Sequence, residues 1–336
     1  MKFDATSWTN ARAIFTKLQF SSLLKEMPVE YRQQQLFSAS SYINESSSHN
    51  FICITTQAEL ETLILRLKER RLFAYDTECT SLSPLQTTIV GISISLEQGT
   101  AYYIPCGHVT DEQQLSRDTV VELLRPIFED ASIGKVAHHA KFDQLVLVTC
   151  GIHVQGMVFD TMIAAALVKE EWQRVSLKDL SQTYLGQQML TYEQMVVDKK
   201  LKDFSYVSIA DATRYAAADA HQTLALYPLL QQQLHDKHMQ NLYTNLELPI
   251  VQLLAQMEER GVYCDVAVLK ELDLVVTEQL NQLRTTILGL IDPSYASINL
   301  NSPRQIEDLL FNGLQLPRGK KSDKRTSYST DFEVLN

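Results

Sequence analysis

An α/β fold, in which a mixed sheet flanked by helices is followed by a largely helical region, is predicted by three observations. Runs rich in β-branched and aromatic residues at 72–79, 88–96 and 100–105 are joined by short connections around Pro84 and at Glu97-Gln-Gly99, the pattern of an antiparallel meander. Between 133 and 150 a strand passes directly into a helix, so the meander gives way to strand–helix alternation, which builds a mixed sheet covered by helices. Beyond 235 the apolar residues recur almost wholly at helical spacing.

The elements follow in order. Residues 1–50 begin with a helical pattern at 11–24 and end in the polar stretch 38–50, which reads as a linker. A helix is expected near 57–70, ahead of the three meander strands, and another near 116–129 behind them. Strand 133–138 and helix 140–150 come next, then helices near 160–170, 176–185 and 208–233. A long helix runs through Pro249 and stops at Gly261, a position suited to an αL cap, and another spans 266–290. Ser302 and Pro303 offer an N-cap and a first-turn proline to a short helix that ends at Gly313. A basic run, Pro317 to Arg325, lies beyond it, and no internal repeat is visible. The expected organisation is therefore an N-terminal helix and linker (1–50), an α/β domain (51–235) and a helical region (236–336).

Composition narrows the function classes. The chain has 336 residues, 45% of them hydrophobic and 21% charged, which is ordinary globular usage. The longest apolar stretch, Met162 to Val168, is too short to span a bilayer, and no signal-peptide core opens the chain, so a soluble cytoplasmic protein without membrane contact is expected. Cysteines at 53, 79, 106, 150 and 264 form no C-x-x-C pair and indicate neither a zinc site nor a disulfide framework. A net charge of −10 argues against binding nucleic acid mainly by neutralising phosphates. It leaves open a metal-dependent phosphodiester enzyme, whose reacting centre needs acidic residues.

Three groups of residues carry chemistry. Asp76 and Glu78 stand two apart near the end of strand 72–79, so both carboxylates project from one strand face. No Lys or Arg lies between Arg71 and Arg117 to neutralise them, which leaves a bound divalent cation or an acidic strand end facing water. Asp143 falls in the first turn of the helix after strand 133–138, a place where open sheets build sites and also where a carboxylate simply favours the helix N-terminal dipole. In 208–223 the S-x-x-D at Ser208–Asp211 opens a helix on which Tyr215 and Asp219, four apart, share one face with small alanines between. That face suits close approach of a ligand or a plain polar stripe. His138 and His139 are adjacent, so as strand residues they point to opposite sides and make no metal pair. Gly319-Lys-Lys-Ser322 lacks the preceding strand and glycine of a P-loop.

Taken together, D-x-E, then D, then Y-x-x-x-D resembles the three motifs of the DEDDy 3′-to-5′ exonucleases, on an RNase H-like fold. The match is strongest with the proofreading domain of bacterial family A DNA polymerases. It extends over Phe73-Ala-Tyr-Asp-Thr-Glu78, Val90-Gly-Ile-Ser, Ala101-Tyr-Tyr-Ile-Pro105, Phe159-Asp-Thr-Met162, Arg214-Tyr-Ala-Ala-Ala-Asp219 and Glu258-Glu-Arg-Gly-Val262.

The resemblance implies that Asp76, Glu78, Asp143 and Asp219 bind two divalent ions, Mg²⁺ first and Mn²⁺ or Zn²⁺ as alternatives, while Tyr215 orients the attacking water. Leu82 and Tyr192 stand where the family flanks the terminal base, with Thr77 and His139 as further substrate contacts; His139 replaces the Asn usual in the second motif. Residues 236–336 resemble the start of a polymerase thumb, with Arg318, Lys320, Lys321, Lys324 and Arg325 as candidate phosphate contacts. The first 50 residues resemble the exit from a 5′-nuclease domain, and the palm and fingers are missing, so no polymerisation is expected. The implied function is removal of nucleotides from single-stranded or frayed DNA 3′ ends by a monomer, with the polymerase and 5′-nuclease domains of a parent enzyme as partners. An RNase D-like ribonuclease and a non-catalytic DNA-binding or scaffold module are the alternatives.

Overall fold

The computed structural model describes Phe15 and residues 49–170, 173–318 and 328–330. The expected helix at 11–24 apart from Phe15, most of the linker, and Lys320, Lys321, Lys324 and Arg325 lie outside the described residues. Contacts divide the chain into two units, 1–261 and 262–336. The first unit takes in the helix that ends before Gly261, which packs on the α/β layer.

Among the described residues of the first unit, six strands form one mixed sheet: β1 (Asn50–Cys53), β2 (Leu72–Cys79), β3 (Ile89–Glu97), β4 (Thr100–Pro105), β5 (Gly134–Ala137) and β6 (Met157–Asp160). Their order is β1-β4-β3-β2-β5-β6, with β2, β3 and β4 antiparallel as the meander predicts and β1, β5 and β6 joined in parallel. The edge strands β1 and β6 are additions to the sequence reading. Each has four residues, too few for an alternation pattern to register.

Helices cover both faces. On one side α1 (Gln57–Arg70) and α2 (Arg117–Phe128) pack over Phe73 and Tyr75, whose rings meet Phe128 edge-on. The same layer receives α3 (Ala140–Thr149). On the other side α4 (Thr161–Val168), α5 (Leu177–Leu180) and the long α6 (Ile209–Asp236) cover Ala74, Val136 and Phe159. The predicted 176–185 helix is two pieces, α5 and a π-helical turn Ser181–Leu185. A second π turn, Glu193–Val197, precedes α6. The chain then enters α7 (Leu248–Arg260), which contacts α3. Gly261 closes α7 with φ +66 and ψ −171, so it uses glycine's freedom at positive φ without the αL geometry expected of it.

The second unit contains α8 (Val266–Leu290), capped by Asp265, and the short α9 (Pro303–Asp308), which runs on into a π turn ending at Gly313. Pro303 starts α9 as expected, but the Ser302 side chain makes no capping bond. No helix among the described residues is long and apolar enough to cross a membrane.

Candidate active site

Side-chain alternation along β2 decides which carboxylates meet. Phe73 and Tyr75 belong to the α1–α2 core and Ala74 to the α4–α6 core. Continuing the alternation, Asp76 and Glu78 point to the α6 side and Thr77 to the opposite one. Helix α6 lies close on the sheet through the fully buried Ala216, Ala217 and Ala220, and brings down Tyr215 and Asp219 one turn apart. Asp76, Glu78 and Asp219 each contribute a carboxylate oxygen to a group whose members lie within 4.8 Å of one another.

Gly91 pairs with Glu78 across β2–β3, and its lack of a side chain makes room for the Tyr103 ring. A Cβ there would lie 2.3 Å from the Tyr103 hydroxyl. That hydroxyl is 2.8 Å from Nε2 of His108, whose Nδ1 is 2.9 Å from the Val207 carbonyl ahead of α6. The glycine, tyrosine and histidine thus tie the middle of the sheet to the start of the helix that carries Tyr215 and Asp219.

Asp143 reaches the site from the other face. It sits in the first turn of α3, where its Oδ1 accepts from the Thr77 backbone N–H (3.0 Å) and from the Thr77 hydroxyl (2.6 Å). Asp143 is therefore anchored between Asp76 and Glu78 in sequence but outside the carboxylate group they form with Asp219. Thr77, expected as a substrate contact, is buried and donates its hydroxyl to Asp143.

The turn that delivers Asp143 is held by a residue without an assigned role in the sequence reading. Asp160, buried at the end of β6, caps α4 by accepting from the N–H groups of Met162 (2.9 Å) and Ile163 (3.2 Å). It also accepts from the N–H groups of His139 (3.2 Å) and Ala140 (2.7 Å). His139 is not a strand residue but the left-handed N-cap of α3 (φ 67, ψ 48), and it makes no side-chain cap. With β5 ending at Ala137, neither histidine lies in the strand, and His138 bonds to Thr161 (2.9 Å). An Asp directly after an apolar strand and ahead of a helical run is an N-cap signal that sequence reading had available.

Crowded, buried carboxylates resist ionisation. Burial, then the charges of Asp143, Glu78 and Asp219, push Asp76 well above the ordinary carboxyl range. Burial and then Asp219 do the same to Glu78, burial raises Asp219, and burial pushes Asp143 up to about 7 despite its bonds from Thr77. Tyr215 is raised by burial and then by Asp219, so its hydroxyl stays protonated. Lys178 of α5, to which no motif assigned a role, opposes the shift at Asp76, Glu78 and Asp219. Its ammonium ion-pairs with Asp219, lies 4.4 Å from the centroid of the Tyr215 ring, and lowers Asp76 and Glu78 as well.

The group suits a hard cation. All its donors are carboxylate oxygens, the set preferred by Mg²⁺ and Mn²⁺. Oε1 of Glu78 is buried without a hydrogen-bond partner among the described residues, a state that costs about 1–3 kcal/mol or more unless something else satisfies it.

Two of the candidate substrate residues are well exposed. Leu82 is 91% exposed and Tyr192 41% exposed at the head of the second π turn. Glu78 contributes to raising the Tyr192 phenol, after burial and Asp203, which puts the ring within the field of the carboxylate group.

Comparison with known proteins matches this geometry to a family. A model described as 3′-5′ exonuclease covers residues 51–235. A DNA polymerase I of Chloroflexus aurantiacus is 38% identical over 283 residues, 82% of this chain and 29% of that protein. One of Borreliella burgdorferi is 30% identical over 307 residues, 91% of this chain and 33% of its own. The chain thus spans about a third of the length of these curated relatives. The POL domain of Pol1 from M. smegmatis, solved in complex with DNA primer-template and dNTP, shares the fold with a TM-score of 0.61 at 24% identity, over 84% of this chain and 44% of that one.

Proposed function

The chain belongs to the 3′-5′ exonuclease family, and from that premise we propose that it removes nucleotides from single-stranded or frayed DNA 3′ ends, as the proofreading module of a DNA polymerase I-type enzyme. The observation that carries the reading is the approach of Asp76, Glu78 and Asp219 to within 4.8 Å, with a buried Glu78 oxygen that has no hydrogen bond from the described residues. Asp76, Glu78 and Asp219, with Asp143 alongside, would hold two divalent ions. When bound, such ions activate water near neutral pH and neutralise the attacking and leaving oxygens of an in-line phosphoryl displacement.

The chain's own residues do the rest. Tyr215, protonated and one turn from Asp219, orients the attacking water through its hydroxyl. Thr77 fixes the carboxylate of Asp143 with two hydrogen bonds, so that little reorganisation is needed when substrate arrives. Tyr192 stacks on the terminal base and Leu82 wedges beside it; a π-face is common to every base, so the contact tolerates any sequence. The helical region beyond the α/β layer acts as the beginning of a polymerase thumb, and the polymerase and 5′-nuclease domains of a parent enzyme are its partners.

Incubation with end-labelled single-stranded DNA or RNA in Mg²⁺, Mn²⁺ or chelator tests the proposal. Stepwise shortening of DNA from the 3′ end, absent in chelator, is the expected result. Chelator-resistant cleavage, a preference for RNA, or no cleavage with either metal refutes it.

A further inference from the structure

Lys178 is the residue whose position the proposed reaction does not require. It stands in the first turn of α5, a helix started by Ser176, whose hydroxyl oxygen accepts from the Asp179 N–H. From there its side chain turns inward to Asp219, and it is 27% exposed against 10% for its partner. The ammonium is also stacked 4.4 Å from the centroid of the Tyr215 ring, so one cation is held by the carboxylate and the aromatic ring of a single helix face. The oxygen it engages belongs to a residue of the three-carboxylate group. An ammonium and a divalent ion cannot both draw fully on one carboxylate oxygen.

We infer that Lys178 is a built-in counter-cation, which neutralises the carboxylate group while no metal is bound and competes with the incoming metal for Asp219. This rests on the metal-site reading above. It assigns Lys178 a positioning role: the lysine keeps Asp219 and Tyr215 oriented in the metal-free protein and sets how much metal is needed to displace it. The competition is reciprocal, because whatever the lysine contributes to the metal-free site is lost from the apparent affinity for metal.

Two measurements on Lys178→Met, which keeps length and apolar stem but removes the charge, move in opposite directions if this is right. In chelator the full chain should melt at a lower temperature than the unsubstituted protein. Mn²⁺ titrated without substrate, followed by calorimetry or by electron paramagnetic resonance of the free ion, should bind about tenfold more tightly or better, the change that about 1.4 kcal/mol of lost competition produces. Lys178→Arg, which retains the charge, should stay near the unsubstituted protein in both. A merely structural lysine would lower the melting temperature and weaken or leave unchanged the Mn²⁺ affinity, and that outcome overturns the inference. If the unsubstituted protein binds Mn²⁺ and degrades DNA while Lys178→Met shows no tightening, only the role of Lys178 fails. If the unsubstituted protein binds no Mn²⁺, the metal-site reading fails with it.

Discussion

Replacing Asp143 by Asn should stabilise the metal-free protein while disabling it. The Asn carbonyl oxygen can still accept both bonds from Thr77, so shape and anchoring persist and only the buried charge is lost. The Asp143 carboxyl is raised from an ordinary 3.8 to about 7, chiefly by burial. At 1.36 kcal/mol per unit, this sets a ceiling of about 4 kcal/mol on the cost of ionising it in the folded state. The group binds its proton more tightly folded than unfolded, so the cost is fully present above about pH 7 and disappears as pH falls toward 3.8. Thermal melts in chelator at pH 8 and pH 5 read this directly. At roughly 2–4 °C per kcal/mol for a domain of this size, Asp143→Asn should melt higher at pH 8 by at most about 8–16 °C. Most of that gain should vanish at pH 5, where the unsubstituted carboxyl is already protonated. Excess Mg²⁺ should narrow the difference, because an ion at 100 times its dissociation constant stabilises only the protein that binds it, by about 2.7 kcal/mol. An Asn variant no more stable in chelator at pH 8, or equally stabilised at both pH values, refutes the account of the site as a repelling anion cluster.

Three further perturbations separate the roles of neighbouring residues. Tyr215→Phe keeps the ring among Phe204, Ala212 and Ala216, so the melting temperature should hold while turnover falls about 10²–10³-fold, the scale of a lost proton-handling group; turnover within twofold of normal excludes a role for the hydroxyl. Tyr192→Ala should weaken single-stranded DNA binding by about 1–3 kcal/mol, or roughly 5- to 150-fold, with a smaller effect on turnover; fluorescence anisotropy with a short oligonucleotide checks it, and unchanged affinity removes the ring from the substrate path. Asp160→Ala leaves four backbone N–H groups without their carboxylate, so denaturant unfolding should show a loss of about 3 kcal/mol or more together with weaker Mn²⁺ binding, whereas an intact Mn²⁺ affinity would mean that the His139 turn does not control Asp143.

Much of the α/β layer was legible because its signals are local. The bounds of β2 and α1, the meander, and the Tyr215–Asp219 spacing on α6 all follow from periodicity and caps within a dozen residues of sequence. The four-residue strands β1 and β6 escaped because they exist only through their partners: β1 is placed by pairing with β4, and β6 by pairing with β5. The packing of α7 escaped for the same reason, since α7 reads as one more helix of a helical run until it is seen to contact α3.

At the site itself, local spacing is enough to put Asp76 and Glu78 on one face, Asp219 one helical turn from Tyr215, and Asp143 at the start of a helix. Backbone geometry turns those spacings into directions, and no distant contact is needed for that. Long-range packing sets α6 over the face of β2 bearing Asp76 and Glu78, while Asp143 arrives on the opposite face and binds Thr77. It alone brought Lys178, 102 residues along the chain from Asp76, into a pocket of negative charge. Side-chain direction is a local property of the backbone, whereas the field a charge feels depends on which helix happens to be packed against it.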